Sequence, residues 1–180
     1  MNSPIIPPEK LFLITDIPGY TPKISRLICM MNLARQVTLH SVKGLTIKEL
    51  DYLHDDESNS IGALLLHIAA MDFAYQKITF EERDLTEEEL RKWEHALELG
   101  PAGREKIKEN DLEFYINALN EVRNKTNEIL KSKDDEWLEK EVPMGKHKSN
   151  NYYLWFHVFE DEINHRGQIK WIKKRAKKFS

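Results

Sequence analysis

Two residues near the end of the chain, Asp161 and His165, combine a carboxylate and an imidazole at a spacing of four. In a helix, residues four apart lie one above the other on the same face. The same face carries four apolar residues, Leu154, Val158, Ile169 and Ile172. Both polar groups are therefore expected on a buried stripe. Because a buried carboxylate is costly without a compensating cation or donor, the pattern is that of a divalent-metal site.

Three further residues are candidates for the same site. His157 lies one turn before Asp161 at the edge of this face, and Glu162 is placed off its other edge, so both are reserve ligands or outer groups. His67 lies in an earlier apolar segment, toward the flank of its stripe, and can still point inward. Imidazole and carboxylate ligands suit zinc, nickel or iron, and three protein ligands leave positions for water or substrate.

Other interpretations of these residues stay open. A single inward histidine is more often a hydrogen-bonded core residue than a ligand, and Asp161 with His165 could form an internal ion pair. Cys29 is the only cysteine, which excludes an intramolecular disulfide and a Cys-rich zinc site. Because it lies among apolar residues, we expect a buried small hydrophobe and not a nucleophile.

Helices are the elements expected to position these side chains. Four segments have apolar residues at helical spacing, at about 22–41, 59–78, 111–131 and 149–177. Short helices are predicted over 46–53 and over 85–103, the second ending at Gly100-Pro101. The segment 134–145 is predicted to be a turn and a connector, and no segment alternates as a strand would. Amphipathic helices without strands predict an all-α helix bundle.

Length and charge restrict the class of protein. The 180 residues suit one domain, with a proline-rich irregular N-terminal arm over 1–22 and the helical bundle domain over 23–180. The net charge is only -3, from 27 basic and 30 acidic residues, which argues against nucleic acid as a partner. The longest apolar stretch, 61–71, is too short to span a membrane, and no leader is apparent. We therefore expect a cytoplasmic protein without membrane contact.

Two stretches carry a family resemblance: NSIGALLLHIAAMDFAYQ, which contains His67, and FHVFEDEINHRGQIKWIKKR, with the HRGQI block at 165–169. They resemble the DinB-like superfamily of DinB/YfiT-like metalloenzymes, which includes bacillithiol- and mycothiol-dependent transferases. The resemblance covers most of the chain and implies a four-helix bundle with short inserted helices. It also implies a divalent metal held by a histidine on the second long helix and a His-x3-His pair on the last.

Carried onto this sequence, the implied metal ligands are His67 and His165, with Asp161 where the family has its middle histidine. This departure leaves two histidines and one carboxylate, which is itself a recognised metal-binding set. Its metal preference need not match that of three histidines.

The resemblance implies a metal-dependent transferase of stress or detoxification chemistry. Its partners would be a low-molecular-weight thiol and an electrophilic small molecule, and the metal would hold the thiol as a nucleophilic thiolate. The alternative is a non-enzymatic metal-binding or scaffold protein. In either case a homodimer formed through one face of the bundle is expected.

Overall fold

The computed structural model describes residues 6–177, and these residues form a predominantly helical protein. The first five residues of the predicted arm lie outside the described part. The remainder of the arm contains a 3₁₀ turn at Pro8–Lys10 before the first α-helix begins. No helix within residues 6–177 is long and apolar enough to cross a membrane.

The described residues contain eight α-helices and one hairpin. In chain order the helices are α1 (Pro22–Val42), α2 (Ile47–Leu50), α3 (Ile61–Phe80), α4 (Glu87–Glu98), α5 (Gly100–Lys106), α6 (Leu112–Leu130), α7 (Asp135–Glu139) and α8 (Asn151–Ala176). The strands β1 (Glu141–Met144) and β2 (His147–Asn150) lie between α7 and α8. Helices α1, α3, α6 and α8 form the bundle, in which α3 packs against both α6 and α8, and α1 packs against α8. The predicted all-α bundle is confirmed.

The long helices begin where the sequence offers capping groups. Pro22 occupies the first turn of α1, where its missing N–H costs nothing. The Ser60 hydroxyl accepts a hydrogen bond from the Ala63 N–H at the start of α3, and Asn150 accepts one from Tyr153 at the start of α8. All four predicted long helices are present, with ends displaced by only a few residues.

Two connections differ from the sequence prediction. The segment predicted as one helix over 85–103 contains α4 and the start of a second helix, α5. The backbone at Gly100 has a φ of +61°, which interrupts the helical path after α4, and α5 begins at this residue. The predicted connector over 134–145 contains α7 and β1, and β1 pairs antiparallel with β2 around Gly145. The prediction of no strands is wrong here. Four-residue strands with mostly exposed side chains show no alternation that a sequence pattern can detect.

A buried group of four charged side chains joins the long helices, one from each. This charge cluster consists of Arg35 on α1, Asp72 on α3, Arg123 on α6 and Glu162 on α8. Arg123 Nε lies 2.7 Å from Asp72, and Arg35 Nε lies 3.1 Å from Glu162. Two positive and two negative charges balance, and Thr126 donates a further hydrogen bond to Asp72. Pairing of opposite charges is what makes buried charges tolerable, although Arg35 Nη2 has no hydrogen-bond partner among the described residues and lies 3.8 Å from Asp72.

The position of Glu162 corrects a sequence-based expectation. The sequence pattern predicts that Glu162 lies off the edge of the buried stripe, as a reserve ligand or outer group, but its side chain is fully buried and paired with two arginines. The reason is that α8 packs against both α1 and α3. Its buried surface is therefore wider than the single stripe on which the prediction relied.

The charge cluster yields a stability prediction. Glu162→Ala should lower the free energy of unfolding by about 3–5 kcal/mol, because Arg35 and Arg123 would be left buried without full compensation. Glu121→Ala, at an exposed position of α6, should change it by no more than about 0.5 kcal/mol. Urea unfolding of the metal-free proteins measures both. Equal midpoints for the two variants would show that the cluster does not stabilise the bundle.

Candidate metal centre

The three predicted ligands come together where α3 packs against α8. His67 lies on α3, and Asp161 and His165 lie one turn apart on α8. One ligand atom from each residue falls within 4.8 Å of the others. His67 Nε2 is 3.6 Å from Asp161 Oδ2, and His165 Nε2 is 3.3 Å from Asp161 Oδ1. The two imidazole rings are nearly perpendicular, at 79°, with centroids 4.8 Å apart.

Both histidines are oriented by hydrogen bonds on the side away from the carboxylate. His67 Nδ1 lies 2.7 Å from the backbone oxygen of Ala96 on α4. Since a carbonyl only accepts, Nδ1 of His67 carries a proton, and Nε2 is the nitrogen directed toward Asp161. His165 Nδ1 lies 3.4 Å from the side-chain oxygen of Gln168, which favours a proton on Nδ1 in this ring as well. Metal-binding histidines are commonly fixed in this way.

The carboxylate of Asp161 is only partly compensated. Its Oδ2 atom is buried and accepts no hydrogen bond within the described residues, since His67 Nε2 at 3.6 Å is too distant. Burial raises the pKa of Asp161, but the two imidazoles outweigh burial and bring it well below its usual range. Burial lowers the pKa of His165, and its hydrogen bond and attraction to Asp161 outweigh this, so the pKa is raised.

This arrangement fits a divalent metal ion. With metal–ligand bonds of about 2.1 Å, the ligand atoms of a tetrahedral site lie about 3.4 Å apart. The imidazoles lie 3.3 and 3.6 Å from different oxygens of the carboxylate, which is close to that value, and one ligand atom from each of the three residues falls within 4.8 Å of the others. The unpaired Oδ2 is the atom that a cation would satisfy. His67, Asp161 and His165 could therefore hold a metal ion and leave coordination positions open.

Neither reserve ligand joins this group. His157 is one-third exposed, lies 3.0 Å from the Glu160 carboxylate and stacks in parallel on Tyr153. Glu162 belongs to the charge cluster. Cys29 is buried, as predicted, and its thiol lies 3.5 Å from the Thr15 carbonyl.

Sequence reasoning missed two residues that support the ligands. The Ala96 carbonyl belongs to the backbone of an inserted helix and has no sequence signal. Gln168 had one available signal, because it follows His165 by three residues inside the HRGQI block. Residues three apart on a helix are neighbours.

The ion pair predicts a pH dependence for the metal-free protein. Charged His165 should stabilise the fold fully below pH 6.5, and this contribution should be lost as the pH rises through its raised pKa. Asp161→Asn should lower the pKa of His165, measured by NMR titration of its ring proton, because the paired negative charge is removed. Glu160→Gln is the control, and its effect should be smaller since Glu160 acts only through space. An unchanged His165 pKa in Asp161→Asn would contradict the pairing.

Comparison with known proteins agrees with this geometry. A search of curated proteins gave no match. A family model described as mycothiol-S-transferase matches residues 26–177, a span that includes His67, Asp161 and His165. This is a DinB/YfiT-like family, so the resemblance found in the two sequence stretches is confirmed. The chain belongs to the mycothiol-S-transferase family.

Proposed function

We propose that this protein is a metal-dependent S-transferase that joins a low-molecular-weight thiol to an electrophilic small molecule. The family points to mycothiol as the thiol. The observation that carries the proposal is the buried Oδ2 of Asp161, which has no hydrogen-bond partner in residues 6–177, in a carboxylate that lies 3.6 and 3.3 Å from the Nε2 atoms of His67 and His165. A stress or detoxification role follows from the chemistry of removing electrophiles.

Each residue of the site has a distinct role in the proposal. His67 and His165 would bind the metal through Nε2, and Asp161 would bind it through its carboxylate. Ala96 and Gln168 hold the two imidazoles in the required tautomer. When bound, the metal lowers the pKa of a coordinated thiol and keeps its sulfur as a thiolate.

The chain itself provides no accessible thiol that could act as the nucleophile in place of the thiol substrate. Cys29 is 3% exposed, and it is the only cysteine in the sequence. A transferase of this family would therefore take its reactive sulfur from the substrate. Asp161 also gives the ligand set one negative charge that three histidines would lack, and we propose zinc, nickel or iron as the metal.

Metal binding tests the ligand assignment. Asp161→Ala should weaken binding by at least about 100-fold, since loss of even an outer-shell partner costs 10–100-fold. Asp161→His, which restores the family's three-histidine pattern, should keep about one metal per chain. Competition with a coloured chelator, together with elemental analysis, measures both. Equal metal affinity in wild type and Asp161→Ala would remove Asp161 from the ligand set.

Thiol conjugation tests the activity. Metal-loaded protein mixed with mycothiol and a chromogenic electrophile should form the conjugate faster than the same protein after chelation. His165→Ala should reduce the rate to the chelated level, because one of three ligands is lost. His147→Ala, in the exposed hairpin strand β2, is the matched control and should keep the wild-type rate. Equal rates before and after chelation would exclude metal-dependent conjugation of that thiol.

One observation favours the alternative of a metal-binding or scaffold protein without catalysis. His165 and Asp161, 3.3 Å apart, form an ion pair that partly neutralises the carboxylate without any metal. In that case Asp161→Ala would destabilise the fold equally in the presence and absence of metal. A protein that binds metal at this site, whether or not it is an enzyme, instead predicts that added metal stabilises the wild type alone, and the conjugation assay then separates the transferase from a non-catalytic metal-binding protein.

A further inference from the structure

Gly167 lies in the interior of α8, two residues after His165, and nothing in the described structure explains its lack of a side chain. A Cβ atom built at this position would meet no atom within 4 Å. Three other glycines lie in helices: a Cβ at Gly62 would lie 2.5 Å from the Tyr115 hydroxyl, one at Gly103 would lie 3.0 Å from a backbone carbonyl, and Gly100 has the positive φ of +61° that favours glycine. Glycine weakens a helix interior. A molecule that approaches the helix backbone at Gly167 would account for it.

A surface cavity opens at this glycine. Its volume is about 380 Å³, and its walls are Ser58, Asn59, Gly167, Gln168, Trp171 and Ile172. Gln168 connects it to the metal centre, because its side-chain oxygen is the partner of His165 Nδ1, 3.4 Å away. The amide nitrogen of Gln168 has no hydrogen-bond partner in residues 6–177. The cavity therefore begins at the residue that supports a metal ligand.

The polar walls offer neutral hydrogen-bonding groups. The oxygen of the Asn59 side chain accepts the Gly100 N–H at 3.0 Å, which fixes the amide. Its nitrogen donates to none of the described residues. The Ser58 hydroxyl donates to Asp55 at 2.6 Å, and its oxygen can still accept.

The apolar walls are the exposed Trp171 ring, which neighbouring side chains contact, and the buried Ile172. The Arg175 guanidinium lies 3.2 Å from the centroid of the Trp171 ring and also bonds the Trp171 carbonyl. The His54 ring meets the same indole in an edge contact. Ile172 is 4% exposed and is anchored in the core. None of the six lining residues is charged, so a carboxylate or phosphate would find no paired cation in the walls.

We propose that this cavity, the polyol subsite, binds the neutral, polyhydroxylated part of the thiol cosubstrate, in contact with the α8 backbone at Gly167. The proposal rests on the proposed function and extends it to the recognition of the thiol. Neutral amides and a hydroxyl beside an aromatic wall are the groups that bind such a ligand. From His165 to Trp171 the helix rises about 9 Å. A thiol with its sulfur at the metal and its polyol several bonds away spans that distance.

Binding of two matched probes tests the subsite without turnover. The first is mycothiol methylated on sulfur, a neutral molecule that keeps the sugar–inositol unit; the second is S-methylated N-acetylcysteine methylamide, which lacks it. Titration calorimetry on the metal-loaded wild type should give at least about tenfold tighter binding of the first probe. Equal affinities for the two probes would overturn the proposal.

Gly167→Leu should abolish this preference, because its side chain would occupy the open space above the glycine. Lys170→Leu is the matched control: it adds the same side chain to α8, in the groove facing His40 and Ser41 on α1, and should keep the preference. Metal content and the circular dichroism spectrum should match the wild type in both. Wild-type affinity in a folded Gly167→Leu would overturn the proposal. If that variant fails to fold, Gly167→Ala should reduce the affinity several-fold, and no reduction would overturn it.

The subsite and the transferase activity can fail separately. If Gly167→Leu weakens binding of the methylated probe but no thiol is conjugated, the subsite stands and the transferase function fails. If mycothiol is conjugated and Gly167→Leu leaves its KM unchanged, the function stands and the subsite fails.

Discussion

The fold depends on four charges that must meet inside the bundle. Arg35, Asp72, Arg123 and Glu162 come one from each long helix and are almost completely buried. Any one of them left without its partners would carry a large desolvation cost. Because a guanidinium pairs well only in a few geometries, we infer that the cluster limits how far each helix can rotate or slide. Apolar packing alone would tolerate more arrangements.

The geometry of the candidate metal site depends on the same constraint. Glu162 follows Asp161 directly on α8, so the rotation that directs Glu162 at the two arginines also sets the direction of its neighbour. On α3, Asp72 enters the cluster while His67, five residues earlier, faces α8. Rotating α8 to withdraw Asp161 from His67 would break the pairing of Glu162. The charge cluster and the candidate site therefore both depend on the same rotational position of α8.

The inserted helices contribute to the site as well. Helix α4 packs on α3 and presents the Ala96 carbonyl to His67, which fixes the imidazole tautomer. Gln168 does the same for His165 and at the same time forms a wall of the polyol subsite. Asp161, in place of the family's histidine, adds a negative charge between the two imidazoles. That charge raises the pKa of His165, and the two imidazoles in turn lower the pKa of Asp161.

The long helices were predictable from the sequence alone, because their apolar periodicity and capping residues are local properties. It also pointed to His67, Asp161 and His165, through a polar pair on an apolar stripe and through the family resemblance. The role of Glu162 became evident only from the packing of α8, since a helix packed on two neighbours buries more than one stripe. The sequence likewise did not predict the contact between Ala96 and His67, the hairpin, or the open space above Gly167. Each depends on which backbone or side chain approaches from a distant part of the chain, and local periodicity carries no information about that.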